Sequence, residues 1–153
     1  MAQSPRSSSQ PSQKPSGQAT RAPVVNMQRP TLNSSDPPPN PKRGEIWRVD
    51  LAPTVGAEMQ KQRFAVVVNS DRVARLPLRL VAPITGWASH YASALHLVPI
   101  QPEPANGLTK PSAADTMQLR GLAVERFLYR VGRISADVME EIAAAIAGVV
   151  EYE

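Results

Sequence analysis

The residue in this chain best suited to phosphate chemistry is an arginine at the junction of a loop and an apolar strand. Arg63 follows a polar loop, Ala52 to Gln62, and directly precedes the apolar run Phe64 to Asn69. A planar guanidinium donates paired hydrogen bonds to phosphate oxygens and stabilises charge that develops on them. By themselves these residues support only a small β-rich domain with a polar loop, in which Arg63 could bind a phosphate or pair with an acid at the strand end.

The usual catalytic constellations are absent from the sequence. It contains no Ser-His-Asp set, no phosphate-binding glycine loop and no HExxH motif, and it has no cysteine. His90 and His96 do not suffice for a zinc site. Cleavage of RNA needs little equipment, because its own 2′-hydroxyl is a nucleophile next to the phosphate. The sequence thus predicts no metal and no cofactor, and it leaves phosphate chemistry open.

The net charge of the chain lies in its first 42 residues. This segment carries five basic residues and one acidic residue, whereas residues 43–153 carry twelve of each. Seven of those twelve acids lie before residue 134, and the last five lie in the C-terminal segment. The charge distribution is compatible with a basic face opposite an acidic helix, and also with an ordinary mixed surface.

Residues 1–41 are rich in Ser, Gln and Pro and have too few apolar residues for a core, which predicts a disordered tail. Its basic residues are expected either to touch RNA weakly or to remain solvated, and an over-extended gene start would also explain the segment. No apolar run reaches the roughly 18 residues that a membrane span requires. The N-terminus also lacks the apolar core of a signal peptide, so no membrane association and a cytoplasmic location are expected.

The remaining residues, 42–153, predict one mainly β domain. Strands are expected at Gly44–Leu51, Phe64–Asn69, Leu78–Ile84, Ala94–Ile100, Ser112–Leu119 and Leu128–Ile134. The uninterrupted apolar character of Phe64–Asn69 is typical of a strand that is buried on both faces. Between strands, Thr85–Ser93 is expected to form a loop, and Asp71–Leu76 and Val124–Phe127 short turns.

A single helix is predicted after Ser135, which is a favourable N-cap, and Asp137 lies in the first turn. Its apolar face is formed by residues at helical spacing, namely Val138, Ile142, Ala145, Ile146 and Val149. Five or six short strands with one terminal helix suggest a small antiparallel barrel.

Several short motifs follow one another along the domain. They are RGEIW (residues 43–47), DL-PT-GAE (50–58), RFAVVV (63–68), VAPIT (81–85), GLTKPS (107–112), QLR (118–120) and RVGRIS (130–135). In this order and spacing they resemble the MazF/PemK family of toxin endoribonucleases from type II toxin–antitoxin systems. Each motif is short, and the ordered set from Arg43 to Val150 carries the resemblance.

The resemblance implies an SH3-like small β-barrel with a terminal helix, a homodimer, and metal-independent, sequence-selective cleavage of single-stranded RNA without a cofactor. It also implies a cognate antitoxin, with DNA binding by the toxin–antitoxin complex. Arg63 is implied as the acid/base and phosphate ligand, and Thr85 as its partner at the scissile phosphate.

Further RNA-binding residues follow partly from the resemblance and partly from residue type. The resemblance implies Glu58 in a loop near the RNA and Gln118 along the groove, followed by Arg120; a solvated loop charge and purely structural polar residues are the alternatives. Trp87 and Tyr91 lie in a predicted loop, where aromatic rings can stack on bases. Trp47 is expected in the core or at the dimer interface.

The chain departs from the family pattern at Phe64, Ala57, Met117 and Gly121. Some members carry, at the position of Met117, an acid that belongs to the proposed catalytic set. If such an acid is needed, either the protein is impaired or Asp115 or another acid replaces it.

Two other functional classes remain open from the sequence. The first is a non-catalytic module, either a degenerate RNA-binding dimer or a protein-targeting toxin like the CcdB-type gyrase poisons. The second is a purely structural SH3-like interaction domain. Met117 and Ala57 favour the degenerate protein, whereas Arg63, Thr85 and the GLTKPS segment favour the ribonuclease.

Overall fold

A computed structural model describes residues 37–59 and 61–153 of the chain. Over these ranges there are seven β-strands, four short 3-10 helices and one α-helix. The strands are β1 (Glu45–Asp50), β2 (Gln62–Val67), β3 (Leu78–Gly86), β4 (Leu97–Ile100), β5 (Ser112–Asp115), β6 (Arg120–Ala123) and β7 (Phe127–Arg133). The helix α1 spans Ala136–Val149, and the 3-10 helices span Asp71–Val73, Ser89–Ser93, Thr116–Gln118 and Val124–Arg126.

All strand pairs are antiparallel, in the order β4-β5-β3-β2-β1-β7. The nine-residue strand β3 joins the two parts of the sheet: its first six residues pair with β2 and β6, and its last three residues pair with β5. The predicted, mainly antiparallel domain with a terminal helix is confirmed.

The two faces of the sheet bury separate apolar clusters. Val66 lies with Ala82 and Ile142 in the cluster under the helix, whereas Ala65 and Val67 lie in the other cluster, which also contains Phe127. Residues 65–67 are 0% exposed. The prediction that β2 is buried on both faces is therefore correct. Each buried valine contributes about 1.5–3 kcal/mol by removal from water, so β2 is a rigid support for the residue at its start.

The helix has the predicted N-cap, since the Ser135 hydroxyl accepts a hydrogen bond from Val138 N at 3.2 Å. Ile142 and Ala145 are buried against the first cluster, and Val138 and Ile146 pack on it partly buried, as expected. Val149 is partly buried as well. Met139, which the sequence analysis did not place on this face, is also buried.

Some predicted boundaries are wrong. The predicted strand Ser112–Leu119 ends at Asp115, because the Asp115 carboxylate accepts a hydrogen bond from Met117 N at 3.0 Å and starts a 3-10 turn. A separate strand, β6, then follows, which raises the strand number to seven. The predicted loop Thr85–Ser93 begins later, because β3 continues through Gly86 by pairing with Ser112. The short turns predicted near Asp71 and Val124 are present.

The N-terminal part of the described chain is tied to the domain. Pro41 is buried, and the Arg79 guanidinium donates to Pro41 O at 2.9 Å and to Asn40 Oδ1 at 3.0 Å. Most of the predicted disordered tail, residues 1–36, lies outside the described residues, and its boundary at residue 41 stays a prediction. No helix in the described ranges has the length and apolar character needed to span a membrane.

Candidate functional site

Arg63 lies near the start of β2, at the end of the loop that connects β1 to β2. It is exposed, and its backbone is opposite Val49 of β1. Because the next four residues are almost fully buried or packed against the core, the position of the Arg63 backbone is fixed by the sheet. This is the arrangement expected for a functional side chain on a rigid element.

Thr85 lies on β3, where its backbone is paired with Ala113 of β5. The structure brings Thr85 and Arg63 together, since both line one cleft of about 340 Å³. The other lining residues are Arg48, Lys61, Gln62, Phe64, Ile84, Gly86, Lys110 and Ser112. We call this site the basic cleft.

The basic cleft concentrates positive charge. Its lining has four cationic side chains (Arg48, Lys61, Arg63 and Lys110) and no carboxylate. The Arg48 guanidinium carbon lies 5.2 Å from the centre of the Phe64 ring, a cation–π distance that holds the guanidinium at the cleft wall. A cleft with one sign of charge attracts the opposite sign, so this cleft suits a polyanion.

A second cleft, of about 360 Å³, flanks the same part of β3, since Pro83 lines this cleft and Ile84 lines the basic cleft. Its lining includes Glu58, Gln118 and Arg120, the three polar residues predicted near RNA, together with Leu51, Met59, Met117 and Leu119. We call it the loop cleft. It combines a few polar groups with apolar side chains, a composition typical of ligand-binding sites.

Gln118 and Arg120 hold the β1–β2 loop in place. The Gln118 amide accepts a hydrogen bond from Met59 N at 3.2 Å and donates one to Ala57 O at 3.1 Å. Arg120 Nη1 donates to Leu51 O at 3.2 Å. Both residues therefore have the structural role that the sequence left as the alternative, and any contact with RNA is an addition to it.

Glu58 also makes a local bond, since its Oε2 accepts from Val55 N at 3.1 Å. Its side chain is exposed and is the carboxylate among the residues that line the loop cleft. Met117 lies in the same cleft with 62% of its surface exposed. Asp115, expected as a substitute acid, lines neither cleft and caps the 3-10 turn instead.

Trp87 and Tyr91 lie together but are not among the residues that line the two clefts. Their ring centres are 5.9 Å apart in an edge-to-face arrangement, and neither ring lines the basic cleft or the loop cleft. Trp47, in contrast, packs edge-to-face on Phe127 at 5.8 Å and belongs to the rim of the second core cluster. It is partly buried and packs against the core, which is one of the two positions expected for it.

Sequence reasoning missed Arg48, Lys61 and Lys110 as residues of the basic cleft. Arg48 lies in this cleft because it is paired with Phe64 in the sheet, a register that the sequence alone does not give. Lys110 lies within the GLTKPS motif, which was noted for its resemblance and not for its charge. Among residues 37–59 and 61–153 no group of three or more His, Asp or Glu side chains is arranged to hold a metal ion.

Comparison with known proteins places this geometry in a family. A family model described as PemK-like, MazF-like toxin of type II toxin–antitoxin system matches residues 42–150. Endoribonuclease MazF9 of Mycobacterium tuberculosis is 36% identical to the chain over 111 residues, which cover 69% of this chain and 92% of that protein.

Solved structures agree on the fold. MazF from Deinococcus radiodurans matches with a TM-score of 0.61 at 19% identity, over 74% of this chain and 98% of that chain. A mycobacterial endoribonuclease in complex with its cognate antitoxin matches with a TM-score of 0.58 at 17% identity, over 74% of this chain and 97% of that chain. These similarities confirm the MazF-like fold that the motifs implied.

The family model spans most of the chain, and MazF9 aligns over nearly its whole length. The chain therefore belongs to the PemK/MazF-like family of toxins of type II toxin–antitoxin systems.

Proposed function

We propose that this toxin is an endoribonuclease that cleaves single-stranded RNA without a metal ion, at selected sequences, in the cytoplasm. The observation that carries the proposal is the shared cleft of Arg63 and Thr85, lined by four cationic side chains and no carboxylate. Its similarity to Endoribonuclease MazF9 supports the same reaction class. The surrounding charge suits the phosphodiester backbone of RNA, which the cleft would bind in part by displacing counterions.

In the proposed reaction the RNA supplies its own nucleophile. The 2′-oxygen loses its proton and attacks the adjacent phosphorus, while the bond from phosphorus to the 5′-oxygen breaks and that oxygen takes up a proton. The products are a 2′,3′-cyclic phosphate and a free 5′-hydroxyl. Arg63 stabilises the charge on the phosphorane oxygens and takes part in proton transfer, and Thr85 positions the phosphate.

Sequence preference would come from bases next to the cut. The loop cleft offers Glu58 for hydrogen bonds to a base edge, with Met59 and Met117 as apolar surfaces. Gln118 and Arg120 shape this site by holding the loop. Trp87 and Tyr91 would bind, by stacking, a base at a greater distance along the strand.

We also propose two protein partners. A second copy of the chain would extend the RNA-binding surface, and a cognate antitoxin would cover it. The antitoxin proposal is supported by the similarity to a mycobacterial endoribonuclease in complex with its cognate antitoxin.

The proposal is tested by cleavage of a long single-stranded transcript by the purified full-length chain in EDTA. Fragments with a 5′-hydroxyl accept label from polynucleotide kinase without prior phosphatase treatment, and cyclic-phosphate 3′ ends resist ligation until the cyclic phosphate is opened and the phosphate is removed. We expect discrete cuts with both kinds of end, and a loss of at least about 100-fold in Arg63→Ala. Arg75→Ala, which removes an exposed charge that lines neither cleft, is the matched control and should retain wild-type activity.

Cleavage that requires a divalent metal, or that persists in Arg63→Ala, would contradict the mechanism. A folded wild-type chain that cuts no RNA would favour the degenerate or protein-targeting class. The exposed Met117 in the loop cleft favours that second class. Gain of cleavage in Met117→Asp would then show that the missing acid is the cause.

A further inference from the structure

Lys110 is a charged residue of the basic cleft to which no role has been given. It precedes β5, and its amine lies across the last residue of β3: a Cβ atom built on Gly86 would be 3.6 Å from Lys110 Nζ and 3.8 Å from Cε. Gly86 directly follows Thr85. The amine therefore lies at the end of the strand that carries Thr85, in the space that a side chain at position 86 would occupy.

The loop that carries Lys110 is held by internal hydrogen bonds. Asn106 is 2% exposed, its Oδ1 accepts from Glu103 N at 3.1 Å and from Leu108 N at 3.0 Å, and its Nδ2 donates to Gln101 O at 2.8 Å. Leu108 is buried in the first core cluster. On the other side of Lys110, its own carbonyl accepts a hydrogen bond from Ser112 Oγ at 3.0 Å. The backbone of Lys110 is thus fixed before any ligand binds, which lowers the cost of placing its charge.

The Lys110 amine has no hydrogen-bond or ion-pair partner among the described residues, although Arg63 and Lys61 share its cleft. Four cationic side chains line this cleft (Arg48, Lys61, Arg63 and Lys110), and no carboxylate is among its described lining residues. Like charges held together raise the free energy of the empty site, and an anion that binds between them removes this cost. The arrangement is that of a phosphate site with more than one cation.

We propose that Lys110 is a second cationic ligand of the reacting phosphate, which acts together with Arg63 in the basic cleft. This inference rests on the proposed endoribonuclease function and adds a catalytic residue to it. A lysine supplies a compact point charge, in contrast to the planar fork of arginine. In the transition state the phosphorane carries more negative charge than the ground-state diester, so both cations stabilise it.

The test measures cleavage and binding separately, with the full-length chain. We expect Lys110→Met, which keeps much of the side-chain length and removes the charge, to lower kcat/KM by about 10- to 1000-fold. Lys110→Arg, which keeps the charge, should retain most of the activity, and Arg75→Ala should equal the wild type. Since Lys110 is exposed, thermal melts of the variants should match the wild type.

Binding is measured with 2′-O-methyl oligonucleotides of random sequence, which lack the nucleophile. We expect Lys110→Met to reduce the slope of log affinity against log salt by about 0.7, the value for one phosphate contact on a single strand. If the wild type cleaves RNA and Lys110→Met cleaves and binds RNA equally well, the proposed role of Lys110 is refuted. The proposed ribonuclease function is then unaffected. A wild type that does not cleave would refute the ribonuclease, and the salt slope would then decide alone whether Lys110 is a phosphate ligand.

Discussion

At the scale of single residues, Arg79 is a charged side chain buried in an apolar strand. It is 3% exposed, and its guanidinium donates to Pro41 O, Leu76 O, Leu78 O, Ala74 O and Asn40 Oδ1 at distances between 2.7 and 3.1 Å. Arginine suits this position because it has five donors in a fixed plane. The residue joins three segments of the chain that would otherwise leave carbonyl groups without donors.

We expect Arg79→Ala to lower the free energy of unfolding by about 3–5 kcal/mol, because a buried network loses its central donor. Urea denaturation followed by circular dichroism measures this change. Arg75→Ala, four residues earlier and exposed, should change stability by less than about 0.5 kcal/mol. Equal effects of the two substitutions would show that the Arg79 hydrogen bonds add nothing to stability.

The identities of single residues predicted part of the candidate site. Arg63 and Thr85 could be chosen from the sequence because their motifs flank apolar strands, and the structure brings them into one cleft. The burial of Arg79 could not be predicted, because its acceptor Pro41 is 38 residues away along the chain. The hydrogen bonds by which Gln118 holds the β1–β2 loop could not be predicted either, because its acceptor, Ala57 O, is 61 residues away along the chain.

At the scale of elements, the β1–β2 loop depends on a residue from another part of the chain. Gln118, in the 3-10 turn Thr116–Gln118, bonds Met59 N and Ala57 O, while Arg126 Nη1 holds the start of the loop through Asp50 O and Ala52 O. The part of the loop-cleft wall that Glu58 and Met59 form is thus held by side-chain hydrogen bonds.

We expect Gln118→Ala to release this loop with little loss of global stability, since each neutral hydrogen bond contributes a net ~0.5–1.5 kcal/mol. Hydrogen exchange at the Met59 amide should become faster, whereas exchange at Val66 in β2 should remain slow. Met117→Ala, whose side chain is exposed in the same turn, is the matched control. Unchanged exchange at Met59 in Gln118→Ala would contradict the proposed support.

Element types were predicted more reliably than element ends. β2 and α1 were found because continuous apolar character and helical spacing are strong signals. The end of β5 was missed because it depends on local bonds: Thr116 Oγ1 donates to His96 O at 2.9 Å, and the Asp115 side chain caps the following turn. A side chain that forms a hydrogen bond with a nearby backbone group can end a strand without changing the apolar pattern of the sequence. The pattern therefore does not reveal where the strand ends.

At the scale of the whole molecule, charge is divided unequally along the chain. Residues 1–36 contain Arg6, Lys14, Arg21 and Arg29 against Asp36, whereas residues 43–153 are neutral overall. Neutrality of the domain does not prevent RNA binding, because four cations line one cleft. The domain and the N-terminal segment can therefore make separate electrostatic contributions.

We expect deletion of residues 2–36 to reduce the salt dependence of RNA binding while cleavage at low salt persists. The reason is that each phosphate contact removed lowers the slope of log affinity against log salt by about 0.7. Fluorescence anisotropy between 50 and 300 mM salt measures the slope for both proteins. The deletion should end before Asn40, because a chain that begins at residue 42 lacks two acceptors of Arg79. An unchanged slope would leave the N-terminal segment without a role in RNA binding.

The fold as a whole was within reach of the sequence, because seven motifs in order carry more information than any one of them. The arrangement of the two clefts could not be predicted from the sequence. Arg48 meets Phe64 through strand register, and Lys110 meets Gly86 through the pairing of β3 with β5. Both contacts depend on how the sheet is assembled, which the spacing of residues along the chain does not specify.

The double burial of β2 has a consequence for how such toxins diverge. A strand with core on both faces tolerates few changes, so the residue at its start, Arg63, keeps its place while the fold exists. Part of each cleft comes from a loop whose residues are mostly exposed: Glu58 and Met59 of segment 52–59 line the loop cleft, and Lys110 of segment 101–111 lines the basic cleft. If the protein is the proposed ribonuclease, mutations in these loops are expected to change which RNA it cuts, while the reaction at Arg63 stays the same.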